Sequence, residues 1–204
     1  MASSSLSARE RAVLADLLQR LGPDAPTCCA GWRTEDLAAH LVVRDRRPDA
    51  GPGFALERWP VGRPLRAWAG RLEAGLRART EYADLVARVR SGPPGWLPTA
   101  WPAVDRLVNT AEFAIHHEDV RRAQPGWTPR ALDRADQDAL WPAAVLFARS
   151  AAGRRPGGLV LRRSDVPGVE KRIGGGPGTT VTGEPLELLL WAAGRESVAR
   201  VTLT

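Results

Sequence analysis

Up to Ala152 the apolar residues recur at three- and four-residue spacing, and after Gly153 they alternate or run together in short stretches. The first pattern predicts helices and the second predicts strands. Val13, Leu14, Leu17, Leu18 and Leu21 form one helical stripe. Ser7 and Glu10 stand at the spacing of a capping box at its start, and Gly22-Pro23 stops it. A loop, Pro26 to Trp32, leads to a second helix capped by Thr34 and carrying Leu37, His40, Leu41 and Arg44. Pro48 to Gly53 is turn-rich. Leu65, Trp68, Leu72 and Leu76 mark a third helix, which Tyr82, Leu85, Val86 and Val89 continue before Gly92-Pro93-Pro94-Gly95 breaks the chain. A fourth helix is expected from near Pro102, with Val104, Leu107, Val108, Ala111 and Ile115 as its stripe and Gln124-Pro125-Gly126 as its end. A fifth runs from about Leu132 through Leu140, Trp141, Val145 and Phe147 to Ala152.

Beyond Gly153, strands are expected at Gly158–Arg163, Val169–Ile173 and Thr179–Thr182, a helix from Glu184 to Gly194, and a last strand from Val198 to Leu203. The chain therefore reads as mainly α: a helical bundle over residues 1–152, then a small α+β unit over residues 153–204.

Composition narrows the function. The 204 residues suffice for a real core. No apolar run approaches a membrane-spanning length, and Met1-Ala2-Ser3-Ser4-Ser5 has neither the basic start nor the apolar centre of a signal peptide. A cytoplasmic protein, monomeric or homodimeric, is the expectation. Adjacent Cys28 and Cys29 agree, because neighbours rarely meet disulfide geometry. The net charge of +6 invites a nucleic-acid reading. The charge is nearly all arginine, with Lys171 the sole lysine, and it is spread along the chain, not clustered with aromatic stacking residues, so no nucleic-acid partner is expected.

Candidate chemistry sits in Glu112-Phe113-Ala114-Ile115-His116-His117-Glu118-Asp119. Positions i and i+4 share a helix face, so Glu112 and His116 point into the same space. The third histidine, His40, lies on the apolar side of another helix. Two imidazoles and a carboxylate from facing helices suit a borderline divalent ion with open coordination positions. The plainer alternative is hydrogen-bonded core histidines, with Glu112 paired to an arginine. His117 lies about a hundred degrees round the helix from His116 and is read as a packing residue or one that supports a ligand. Asp119 either accepts a ring N–H from a ligand histidine or joins a helix–helix salt bridge. Arg44, on the His40 face, either holds an anionic group or pairs with Glu112 or Asp119. Trp32 is read as packing over the bundle end, Cys29 as packing or a nucleophile, and Arg121 and Arg122 as a solvated or ion-paired face. Gly174 to Gly178 is a hairpin or interdomain loop, since it lacks the Lys-Ser/Thr of a phosphate loop.

Cys29-Ala30-Gly31-Trp32 through Asp36-Leu37 to His40-Leu41 resembles a signature of the mycothiol-dependent maleylpyruvate isomerase N-terminal family, a group of DinB-like metal-binding four-helix bundles. Asn109 to Asp119 is similar to the second signature, and Val181 to Trp191 looks like the small C-terminal domain such proteins carry. The resemblance implies a DinB-like four-helix bundle with His40, Glu112 and His116 as metal ligands. The stretch His117 to Arg122 looks like a subgroup of metal-binding proteins with unassigned substrates. In the isomerases, addition and elimination of mycothiol turn a cis double bond of maleylpyruvate to trans.

Two functions compete at this point. One is a metal-dependent isomerase or thiol S-transferase, with zinc the best-suited ion and nickel, iron, manganese or cobalt also accepted by these donors. It would take mycothiol and an electrophilic small molecule, and Arg44 would hold the substrate carboxylate. The other is a non-catalytic metal-binding stress-response or regulatory helical-bundle protein.

Overall fold

A computed structural model describes residues 5–50, 62–97, 100–101, 105, 109–153, 155, 157–176 and 178–204. Pro102, Val104, Leu107 and Val108 of the expected fourth helix, and Gly51 to Gly53 of the expected turn, lie outside them. The described chain is mainly helical, with one small four-stranded sheet. It divides into two compact units, Met1–Asn109 with His116–Pro125, and Thr110–Ile115 with Gly126–Thr204.

In the first unit, α1 spans Leu6–Leu21, α2 Thr34–Arg46, α3 Arg63–Arg77 and α4 Tyr82–Ser91. The helix α5, Thr110–Arg121, contributes its second half. The stripes lie where the spacing puts them: Leu14 and Leu18 of α1, Leu37 and Leu41 of α2, and Leu85 and Val89 of α4 are fully or almost fully buried. Burying each such side chain contributes about 2 kcal/mol. Val13 is half exposed, because one helix face has room for only part of a five-residue cluster. The helix α2 packs against α1, α3 and α4. On α3 only Ala69 is buried outright, against Val43 and Ala50, with Leu72 and Leu76 packed beside it and Trp68 exposed. The segment from Tyr82 is a helix of its own, entered through extended Glu81 and not a continuation of α3.

Two expected caps move. The first helix is capped by Ser5, whose Oγ accepts from the Ala8 N–H at 3.3 Å, and Ser7 is buried with its hydroxyl donating to Asp105. Thr34 is the first residue of α2 and donates to the Gly22 carbonyl. The Asp36 carboxylate reaches back to the Arg33 N–H at 2.9 Å instead. In both cases a more distant partner takes the hydroxyl that local spacing assigned to the helix end.

In the second unit α6 spans Arg134–Ala152, β1 Leu159–Arg163, β2 Glu170–Ile173, β3 Thr179–Gly183, α7 Pro185–Ala192 and β4 Thr202–Leu203. The sheet order is β2-β1-β3-β4, with β1 and β3 parallel and the outer pairs antiparallel. The helix α6 falls in the same compact unit as the strands and α7. Gln137, buried on α6, accords with that grouping: its Oε1 accepts from the Leu186 N–H and its Nε2 donates to Glu184 Oε2 at 2.8 Å, satisfying the start of α7.

The glycine-rich turn is packed backbone against backbone. Gly158 has φ +80°, and a Cβ there would lie 2.3 Å from the Ile173 carbonyl oxygen and 3.1 Å from Gly174 Cα. A Gly158→Ala variant is therefore expected to lose about 2 kcal/mol or more, read as a lowered Tm, because both φ and space exclude a side chain. An unchanged Tm would show that this turn yields easily.

Candidate metal centre

The centre starts with the loop before α2. Thr27 Oγ1 donates to the Trp32 carbonyl at 2.9 Å and accepts from the Cys29 N–H at 3.2 Å, and Gly31 turns the chain at φ +77°. The loop is tied to the C-terminal end of α5. The Cys28 N–H donates to the Asp119 carbonyl at 2.9 Å, and Gln124 Nε2 donates to the Pro26 carbonyl at 3.0 Å. Trp32, half buried, comes to rest 5.0 Å from the His40 ring, centroid to centroid. It is thus a wall of the centre as well as a packing residue.

On the helices, His40, Glu112 and His116 each bring one ligand-type atom to within 4.8 Å of the others. The two imidazoles meet edge to face with centroids 5.3 Å apart, and both histidines are buried while Glu112 is half buried. Donors on one ion lie up to about 4 Å apart for bonds of about 2 Å, so small side-chain adjustments close such a shell.

Each ring is held by a carboxylate. His40 Nδ1 is 2.9 Å from Glu73 Oε1 on α3, and His116 Nδ1 is 2.9 Å from Asp119 Oδ2. With Nδ1–H donated to an acceptor, Nε2 is the nitrogen that each ring can turn to an ion. Asp119 is buried and also accepts from Cys29 Sγ at 3.2 Å. Glu73 further accepts from Arg66 Nη1 at 3.2 Å. Burial pushes the Glu73 carboxyl up, yet the hydrogen bonds from His40 and Arg66 and the positive charge beside it prevail, leaving it below the usual carboxylate range. Glu73 also lines a cavity of about 150 Å³ with Trp32, Asp36, Ala39, Gly70, Ala74 and Arg77.

The remaining expected residues have structural partners. His117 Nδ1 lies 2.7 Å from Glu10 Oε2 of α1, with both residues buried. Glu10 therefore serves this pair and not a capping box. Arg44 Nη1 donates to Asn109 Oδ1 at 2.8 Å and lies 3.6 Å from Asp45 Oδ1. Arg121 and Arg122 are ion-paired with buried Glu118, and Arg122 is itself buried, so that face is paired and not solvated.

Sequence spacing missed Glu73. Its one signal is an acid placed between the apolar positions Leu72 and Leu76 of α3. It missed the Cys29–Asp119–His116 cluster too, whose ligand-type atoms also lie within 4.8 Å of one another.

A donor set of two carboxylate-supported imidazoles and one carboxylate fits a borderline divalent ion. Among the described residues no helix is long and apolar enough to cross a membrane. No protein-family model matches the chain, and no curated protein sequence does. Two solved structures are similar over the whole fold: the mycothiol-dependent maleylpyruvate isomerase and a histidine-to-alanine mutant of the same enzyme. Each has a TM-score of 0.55 at 19% sequence identity, covering 98% of this chain and 89% of the other. At that identity the likeness shows a shared fold.

Proposed function

We propose that this chain is a divalent-metal protein of the DinB-like four-helix-bundle type, and an isomerase or S-transferase that uses a low-molecular-weight thiol such as mycothiol. The observation that carries this reading is the convergence of His40, Glu112 and His116 with a carboxylate behind each ring. Mycothiol is suggested by the isomerase of similar fold and by the sequence signature around His40. Zinc suits the donors best, and nickel, iron, manganese and cobalt are accepted by the same set. When bound, the divalent ion supplies a net positive charge against the single negative charge of its three ligands, which favours a thiolate over a thiol.

The protein's own residues do the rest. Glu73 and Asp119 keep the ring protons on Nδ1, fixing tautomer and orientation. Trp32 packs at a tilt against the His40 ring, 5.0 Å away centroid to centroid. Half-buried Glu112 is the least enclosed of the three donors. Arg44 is the residue assigned to a substrate carboxylate, exchanging its bond to Asn109 for a bidentate one. The partners are small molecules, not nucleic acid or membrane, and the setting is the cytoplasm.

The test is turnover of electrophilic acceptors by metal-loaded and chelator-treated protein, with and without mycothiol. Turnover should require both ion and thiol. Equal turnover in metal-free protein, or turnover without thiol, would refute the mechanism. Stoichiometric metal with no turnover on any acceptor would favour a non-catalytic metal-binding protein. Glu73→Gln is expected to weaken metal binding about 10- to 100-fold with helicity kept, as loss of a ligand's carboxylate support does. Unchanged affinity by equilibrium dialysis would reduce Glu73 to a packing role.

A further inference from the structure

We infer that the other edge of His116 forms a second cation seat, made of Cys29 Sγ, Asp119 and His116 Nδ1, which takes a thiophilic divalent ion and competes with the first set for the His116 ring. Asp119 Oδ2 accepts two hydrogens, one from Cys29 Sγ at 3.2 Å and one from His116 Nδ1 at 2.9 Å. The three ligand-type atoms lie within 4.8 Å of one another. Taking away those two hydrogens leaves a sulfur, a nitrogen and an oxygen facing one point. Such a mixed soft set selects zinc or cadmium over magnesium or calcium.

Hydrogen bonds of the loop before α2 set where the thiol lies. Cys29 is held in place by Thr27 and by the Cys28 N–H bond to the Asp119 carbonyl, so Sγ is delivered to the carboxylate by backbone hydrogen bonds. Asp119 is buried, and Cys29 is half buried.

The competition follows from the ring. Ligation through Nε2 needs the Nδ1–H that Asp119 accepts. Ligation through Nδ1 moves that proton to Nε2, while the Cys29 thiol releases its own proton to solvent. A neutral imidazole therefore serves one seat at a time, and filling the thiolate seat withdraws His116 from His40 and Glu112. The second seat depends only on its own three residues, so it stands whether or not the first set holds an ion.

The test uses full-length protein, stripped with chelator and titrated with Cd(II) and, separately, Co(II). The readout is the near-ultraviolet thiolate-to-metal charge-transfer band, with bound metal counted by equilibrium dialysis. In a His40→Ala, Glu112→Gln variant the band should saturate at one equivalent. In Cys29→Ser the band should vanish while one equivalent stays bound, and in Cys28→Ser it should persist. Circular dichroism checks each fold. A band that survives Cys29→Ser would overturn the assignment of the thiolate. A band lost in the well-folded His40→Ala, Glu112→Gln variant would show Cys29 to be a fourth ligand of one ion, or no ligand, and would overturn the two-seat inference. Failure of the His40–Glu112–His116 reading shows separately, as Cys29→Ser protein that binds no metal.

Discussion

Replacing His116 by alanine is expected to abolish stoichiometric divalent-metal binding and leave most of the helicity in place. His116 is common to both clusters of ligand-type atoms, so its loss leaves two donors in each, too few to hold a borderline ion against water. The loss of affinity should exceed the roughly 10- to 100-fold that follows from removing a carboxylate behind a ligand. The helix that carries it does not depend on the ring. Ala111, Phe113, Ala114 and Val120 of α5 are buried on their own account. Metal analysis after dialysis, beside a far-ultraviolet circular dichroism spectrum, gives both halves of the result. Retained stoichiometric metal would end the assignment of His116 as a ligand. Collapse of the helical signal in metal-free and His116→Ala protein alike would make the ion a structural staple instead.

The helices were legible because their stripes are long enough to repeat. Leu14 with Leu18, and Leu37 with Leu41, recur at four residues and are buried as that period requires. The β1–β2 hairpin and the strand β3 were foreshadowed by short runs between glycines, whereas the parallel pairing of β1 with β3 was not, and β4 is only Thr202–Leu203. What failed were inferences from local spacing where a distant partner competes. Ser7 and Glu10 have the spacing of a capping box, but Asp105 takes the serine and His117 takes the glutamate. The glycine run from Gly174 reads as slack from composition, and its tight seat against Gly158 is a property of the folded hairpin. The same distinction divides the site. Glu112 and His116 were visible because four residues on one helix fix a shared direction. Glu73 and Cys29 meet their partners 33 and 90 residues away along the chain, and no local period encodes such a pairing.

His117 is expected to behave in the opposite way to its neighbour. Its ring, 2% exposed, donates Nδ1–H to Glu10 Oε2 at 2.7 Å, and Glu10 is itself only 4% exposed. This pair ties α1 to α5. Changing His117→Ala would take a hydrogen-bond donor from a buried carboxylate and open a cavity beside it. Breaking a buried pair by removing one partner costs about 3 kcal/mol or more. For a chain of this size that is a fall in Tm of roughly 10 °C. Metal bound per folded molecule should not change, because His117 is in neither cluster of ligand-type atoms. Replacing both partners by apolar residues of similar volume, Glu10→Met with His117→Leu, should restore most of the stability, since no charge is then stranded. Thermal denaturation of the three variants, with metal counted on the folded protein, separates the two histidines. A His117→Ala protein that melts like the wild type but loses its metal would exchange their roles and move the ligand one residue along α5.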